Sequence, residues 1–206
     1  MGGMQALYWA LMFPEKVLSI LPFCCTARCW PHNFVFLEGV KAALQADSAW
    51  RDGRYTEAPE CGLRAFGRAY AGWAYSQAFF RKEQWRELGF PSVDALLDYW
   101  EQDHLEQDAN DLLCVLATWK SADPPVLAGA GSLEDALARL SARAIIMPSS
   151  TDLYFTVEDA RHEASLMPNA ELRVLESDWG HCAGGPGRSP EAMAQVFSAM
   201  HDLLAS

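Results

Sequence analysis

Met1-Gly2-Gly3-Met4-Gln5-Ala6-Leu7 opens the chain, and its reading decides the fold. Two adjacent glycines ahead of an apolar run mark a place where backbone bends sharply and a helix packs close behind. The pattern is that of the second half of a Gly-x-Ser-x-Gly turn, in which a serine is lifted above the end of a strand. The Gly-x-Ser half is absent, and no Gly-x-Ser-x-Gly occurs elsewhere in the 206 residues. The stretch points at a chemistry whose nucleophile the chain does not contain.

Working outward, residues 3–13 carry Met4, Leu7, Leu11 and Met12 at helical spacing and stop at Pro14. Val17-Leu18-Ser19-Ile20-Leu21-Pro22-Phe23 follows as a nearly continuous apolar run, the mark of a strand covered on both faces of a parallel sheet. Helix, tight turn and buried strand form the alternation of an α/β protein. The alternation resumes late in the chain. Ala144-Ile145-Ile146-Met147 reads as a second buried strand and Glu171-Leu172-Arg173-Val174-Leu175 as a third. Helices are expected over 133–140, 157–166 and 189–204, the last with Ser189 as N-cap and Pro190 in its first turn.

Between about Arg28 and Leu140 the character changes. Apolar residues recur at helical spacing, with turn signals at Asp52-Gly53, Phe90-Pro91 and Asp123-Pro124-Pro125, and no convincing strand appears. Inside an α/β protein such a stretch is most economically a helical cap over the site. An independent helical domain is the alternative. The expected organisation is therefore 1–27 as elbow helix and core strand, 28–140 as helical lid, and 141–206 as the remaining core.

Bulk composition narrows the function classes. Half the residues are hydrophobic and 21% are charged, as in a globular protein with a sizeable core. A formal net charge of -11 argues against a nucleic-acid partner, which needs a basic face. No apolar run reaches membrane-spanning length. A basic signal region and a myristoylation pattern are both missing at the N-terminus, so a cytoplasmic protein is expected. Cys24, Cys25, Cys29 and His32 superficially resemble a metal cluster, but the adjacent pair lacks ligand spacing, and buried free thiols are the better reading.

Asp152 and His181 complete a constellation with the opening stretch. Each falls in a loop just beyond a predicted strand, where sites of open parallel sheets lie. Serine, then acid, then histidine is the chain order of one class of serine triad, with the serine immediately before Met1. A serine hydroxyl is a poor nucleophile until an imidazole takes its proton, and a carboxylate then holds the tautomer and stabilises the imidazolium. The backbone N–H of Met1 would supply half of an oxyanion hole, with Gly2 and Gly3 completing the elbow. Taken singly, the signals are weak. An Asp after a strand is usually a cap, and a His in a loop is usually just solvated.

Met1 to Leu7, the segment from Ala46-Asp47 to Trp50, Asp108-Ala109-Asn110, Ser149 to Asp152, and Gly180-His181 together resemble the homoserine O-acetyltransferase-like family of α/β-hydrolases over essentially the whole length. The resemblance implies Asp152 as triad acid and His181 as general base, and Arg68 and Tyr75 as lid residues of the substrate pocket. It implies the C-terminal half of an α/β-hydrolase fold, about three parallel strands with flanking helices, carrying a large helical lid insertion. Several further strands would precede the elbow, so the chain is expected to be N-terminally truncated, inactive alone, and prone to self-association through an exposed sheet edge.

Family acetyltransferases usually carry an Asp after the histidine, to hold the amino group of homoserine. Cys182 stands there instead. An ammonium ion in a closed pocket needs a compensating charge, so Cys182 directs the reading towards an ester hydrolase acting on a small-molecule ester, with no cofactor. The alternatives are an O-acetyltransferase taking an alcohol and acetyl-CoA, and a non-catalytic or decayed partner protein.

Overall fold

A computed structural model describes residues 1–205, which divide into two compact units, 1–29 with 122–205 and 30–121. The chain enters the first unit with helix α1 (Gly2–Met12), which buries Met4, Leu7 and Ala10 along one face. Pro14 cannot continue it, and strand β1 (Ser19–Ile20) follows.

Residues 30–121 then form a wholly helical unit among the described residues. Helix α2 (Pro31–Gln45) starts on a proline, whose missing N–H costs nothing at a helix start, and buries Phe36, Leu37, Val40 and Leu44. Helix α3 (Glu60–Ala74) packs against it and against the helix over Val93–Leu105; the short α4 (Gln77–Arg81) follows α3. Helices α5 (Val93–Leu105) and α6 (Ala109–Lys120) complete the unit. Side-chain oxygens of Ser76, Ser92 and Asp108 accept from first-turn backbone N–H groups, each cap contributing about 1 kcal/mol. The interior is aromatic. Phe66, Tyr75 and Phe79 are almost fully buried, and Tyr70 stacks on Phe66 with ring centroids 5.4 Å apart. The abundance of aromatic residues thus supplies much of this helical core.

The chain returns to the first unit through α7 (Pro124–Ala128), closed by Gly129, and α8 (Leu133–Leu137). Strand β2 (Arg143–Ile146), helix α9 (Val157–Ser165), strand β3 (Ala170–Leu172) and helix α10 (Pro190–Leu204) then alternate. The sheet order is β1-β2-β3, all parallel, with Ser19 opposite Arg143 and Ile145 opposite Glu171. Ala144, Ile145 and Ile146 of the central strand and Met147 just after it are all buried, which is why that segment is apolar without alternation.

Strands β1 and β3 are shorter than the runs that predicted them, while β2 keeps its four residues one position earlier, and two prolines give the reason. Pro22 and Pro148 have no N–H to donate to a ladder. Their carbonyls still accept, from Met147 N at 3.0 Å and Leu175 N at 2.9 Å. Single bridges between Phe23 and Met147 and between Ser149 and Leu175 carry the pairing beyond the last regular pairs. Helix α8 also stops three residues early, at Leu137, after Ser132 caps its start by accepting from Asp135 N at 3.1 Å.

Candidate active site

Extended pairing past the strand ends delivers two loops side by side. Asp152 stands on the loop after β2, its carboxylate wholly shielded from solvent. Oδ1 accepts from the backbone N–H groups of Tyr154 at 2.8 Å and Phe155 at 3.2 Å. Those two bonds fix the carboxylate before the histidine is considered. Its other oxygen, Oδ2, lies 2.8 Å from Nδ1 of His181. A carboxylate only accepts, so the shared proton sits on Nδ1 and Nε2 is the basic nitrogen. The imidazole is further boxed by the rings of Tyr154 and Phe155, at centroid distances of 5.1 and 5.4 Å.

His181 is the second residue of a short 3-10 helix, Gly180–Gly184, and its side chain is about one-third exposed (34%). It lines a cavity of about 490 Å³ together with Met1, Gly2, Gly3 and Cys182. Five of the eight residues singled out from sequence therefore meet at one cavity (Met1, Gly2, Gly3, His181 and Cys182), and Asp152 joins them through its bond to the histidine. Arg68 and Tyr75 belong to the helical unit. Arg68, on α3, is ion-paired with Glu101 and lies 3.8 Å from Asp98. Tyr75 is fully buried with its ring stacked on Phe79 at 4.1 Å.

Two further lining residues are Cys24, expected only as a buried free thiol, and Arg188, which had no sequence signal. Cys24 adopts a left-handed conformation, φ 48°, as the chain turns off the end of the first strand. Burial, and then the charge of Asp152, pushes its thiol well above the usual range. Burial likewise pushes Cys25 up to about 12. Both are free thiols, inert as nucleophiles at neutral pH. Among the described residues no group of three or more His, Cys, Asp or Glu is placed to hold a metal ion.

No family model matches the chain. Curated relatives do. A probable esterase from Corynebacterium glutamicum is 34% identical over 184 residues, 88% of this chain and 52% of the relative. A homoserine O-acetyltransferase from Deferribacter desulfuricans is 30% identical over 208 residues, 89% of this chain and 52% of that one. The crystal structure of an acetylester hydrolase from Corynebacterium glutamicum superposes with a TM-score of 0.95 at 32% identity, covering all of this chain and 59% of its own. The chain thus spans about half the length of the curated relatives it matches.

A parallel sheet with an acid and a histidine on loops beyond adjacent strand ends, interrupted by a helical insertion, is part of an α/β-hydrolase fold. Within that superfamily the chain belongs to the homoserine O-acetyltransferase-like family, whose members include both esterases and homoserine O-acetyltransferases.

Proposed function

We propose that this chain supplies the acid–base half of a serine acyl-transfer enzyme that hydrolyses small esters, acetyl esters above all. The observation that carries the reading is the Asp152 Oδ2–His181 Nδ1 bond of 2.8 Å beside a cavity lined by Gly2 and Gly3. In this reading a serine directly precedes Met1. Nε2 of His181 takes its proton as the hydroxyl attacks the ester carbonyl, and Asp152 stabilises the imidazolium. The backbone N–H of Met1 steadies the oxyanion. Collapse of the tetrahedral adduct expels the alcohol, which takes the proton from Nε2. Water then attacks the acyl-serine by the same acid–base steps, releasing the acid.

Hydrolysis is preferred over transfer to homoserine because Cys182, beside His181 at the cavity, offers no fixed negative charge for an ammonium group. The esterase and acetylester hydrolase relatives support the same choice. Arg68 and Tyr75 are proposed as lid residues of the substrate pocket on the resemblance alone. Neither a metal nor a cofactor has a step in this mechanism.

The reading frame upstream of Met1 is the first test. The reading expects an in-frame Gly-x-Ser directly before Met1, and a protein extended through it that hydrolyses p-nitrophenyl acetate. A stop codon there would contradict it and favour a non-catalytic partner protein. Acetyl-CoA-dependent acetylation of an alcohol by the extended protein, without ester hydrolysis, would favour the transferase.

A further inference from the structure

The bond between His181 and Asp152 requires two loops to hold a common height above the sheet. Regular pairing ends before either residue, with Ile146 opposite Leu172. Beyond the bridge between Ser149 and Leu175, the contact is made by hydroxyl groups. Ser150 Oγ accepts from Ser177 N at 3.1 Å and donates to Ser177 O at 3.3 Å. Thr151 Oγ1 donates to the same Ser177 carbonyl at 2.7 Å and accepts from Gly180 N at 3.0 Å.

Thr151 stands one residue before Asp152, and Gly180 one residue before His181. One hydroxyl therefore spans the two loops at the positions adjoining both members of the pair. Gly180 has φ 62°, a left-handed conformation that side chains rarely adopt. The backbone turns there from the loop into the 3-10 turn that carries the imidazole. Its N–H is anchored to Thr151.

We propose that Thr151 is a positioning residue that sets the height and direction of the His181 imidazole by clamping the Gly180 backbone to the acid loop. The proposal rests on the reading of Asp152 and His181 as an acid–base pair, and it deepens that reading. The role needs a group that donates and accepts at once, which threonine and serine provide and valine does not. Thr151 is not among the residues that line the cavity, and in this proposal it acts through His181.

NMR of the 206-residue chain tests the clamp without relying on turnover. The Nδ1 proton of His181, identified by its loss in His181→Gln, reports the bond to Asp152 directly. Thr151→Val should speed its exchange with solvent on the order of tenfold, the upper end of what one lost hydrogen bond contributes. Thr151→Ser should restore the wild-type rate to within about twofold, because it keeps the hydroxyl.

An unchanged Nδ1 proton in the valine variant would overturn the proposal, and so would equal loss in the serine variant. Should the valine variant fail to fold, hydrogen exchange of the Gly180 amide in the unmutated chain decides. Protection supports the clamp, and exchange at the rate of an open loop overturns it. Absence of esterase activity in the extended protein would remove the functional reading while leaving these resonances, and hence the clamp, standing.

Discussion

Single residues in this chain act through backbone N–H groups they satisfy as much as through partners of opposite charge. Asp152 and Asp47 are parallel cases. Asp47 accepts from Ala49 N and Gly62 N, both at 2.9 Å. The bond from Ala49, then that from Gly62, holds its carboxyl below the usual 3.8. A depressed folded value means that the ionised form stabilises the fold. That contribution is complete above the unfolded value near 3.8 and is lost as pH falls through the folded value. Asp47→Asn keeps one acceptor oxygen and should lower stability by about 1 kcal/mol at neutral pH. Urea melts of both proteins would show the gap narrowing below 3.8, and a gap unchanged with pH would refute the assignment. Asp47 was visible in the sequence only as part of a resemblance, since the N–H groups that donate to it lie two and fifteen residues away.

Among the elements, α1 shows how the opening glycines work. A Cβ added at Gly3 would lie 2.2 Å from Cys25 Sγ and 2.8 Å from its Cβ. The first turn of α1 thus rests directly on the end of the first strand, and only a residue without a side chain allows it. Gly3→Ala should cost about 2–3 kcal/mol through overpacking, read as a fall in the urea midpoint. Adding Cys25→Ala should recover part of the loss by removing the sulfur. An alanine variant as stable as the original would show that this contact does not constrain the helix. By contrast, no atom within 4 Å would meet a Cβ at Gly2, so the two glycines are not equivalent.

Element types were legible from sequence because their signals are local. The buried strand at 144–147, the cap at Ser189 and the helical character of 28–120 each follow from residues in contact along the chain. Strand ends were not, because Pro22 and Pro148 break the regular ladder while their carbonyls continue it. The Asp152–His181 pair was legible from residue type, order and strand-end position. Its supports, Thr151 and the amides of Tyr154 and Phe155, were hidden, since a hydroxyl or amide gains its role from what the fold sets opposite it.

At the scale of the molecule, the sheet is the feature with consequences. Among the described residues β1 and β3 pair on one side only. Leu18, next to β1, is 83% exposed, and Trp9 and Met12 of α1 and Phe197 and Leu204 of α10 are also exposed. Open parallel edges and uncovered apolar side chains favour association. We propose that the 206-residue chain self-associates, so its sedimentation coefficient should rise with concentration. Leu18→Lys should weaken that rise. A monodisperse monomer with a cooperative melt would contradict the expectation.

Ester hydrolysis tests the central claim most directly. The protein extended upstream through Gly-x-Ser should turn over p-nitrophenyl acetate, whereas the 206-residue chain alone should not. His181→Ala in the extended protein should lower kcat on the order of 10⁴-fold or more, as loss of a triad base does. Turnover in that variant within about tenfold of the unmutated protein would contradict the assignment of His181 and, with it, the account of the site.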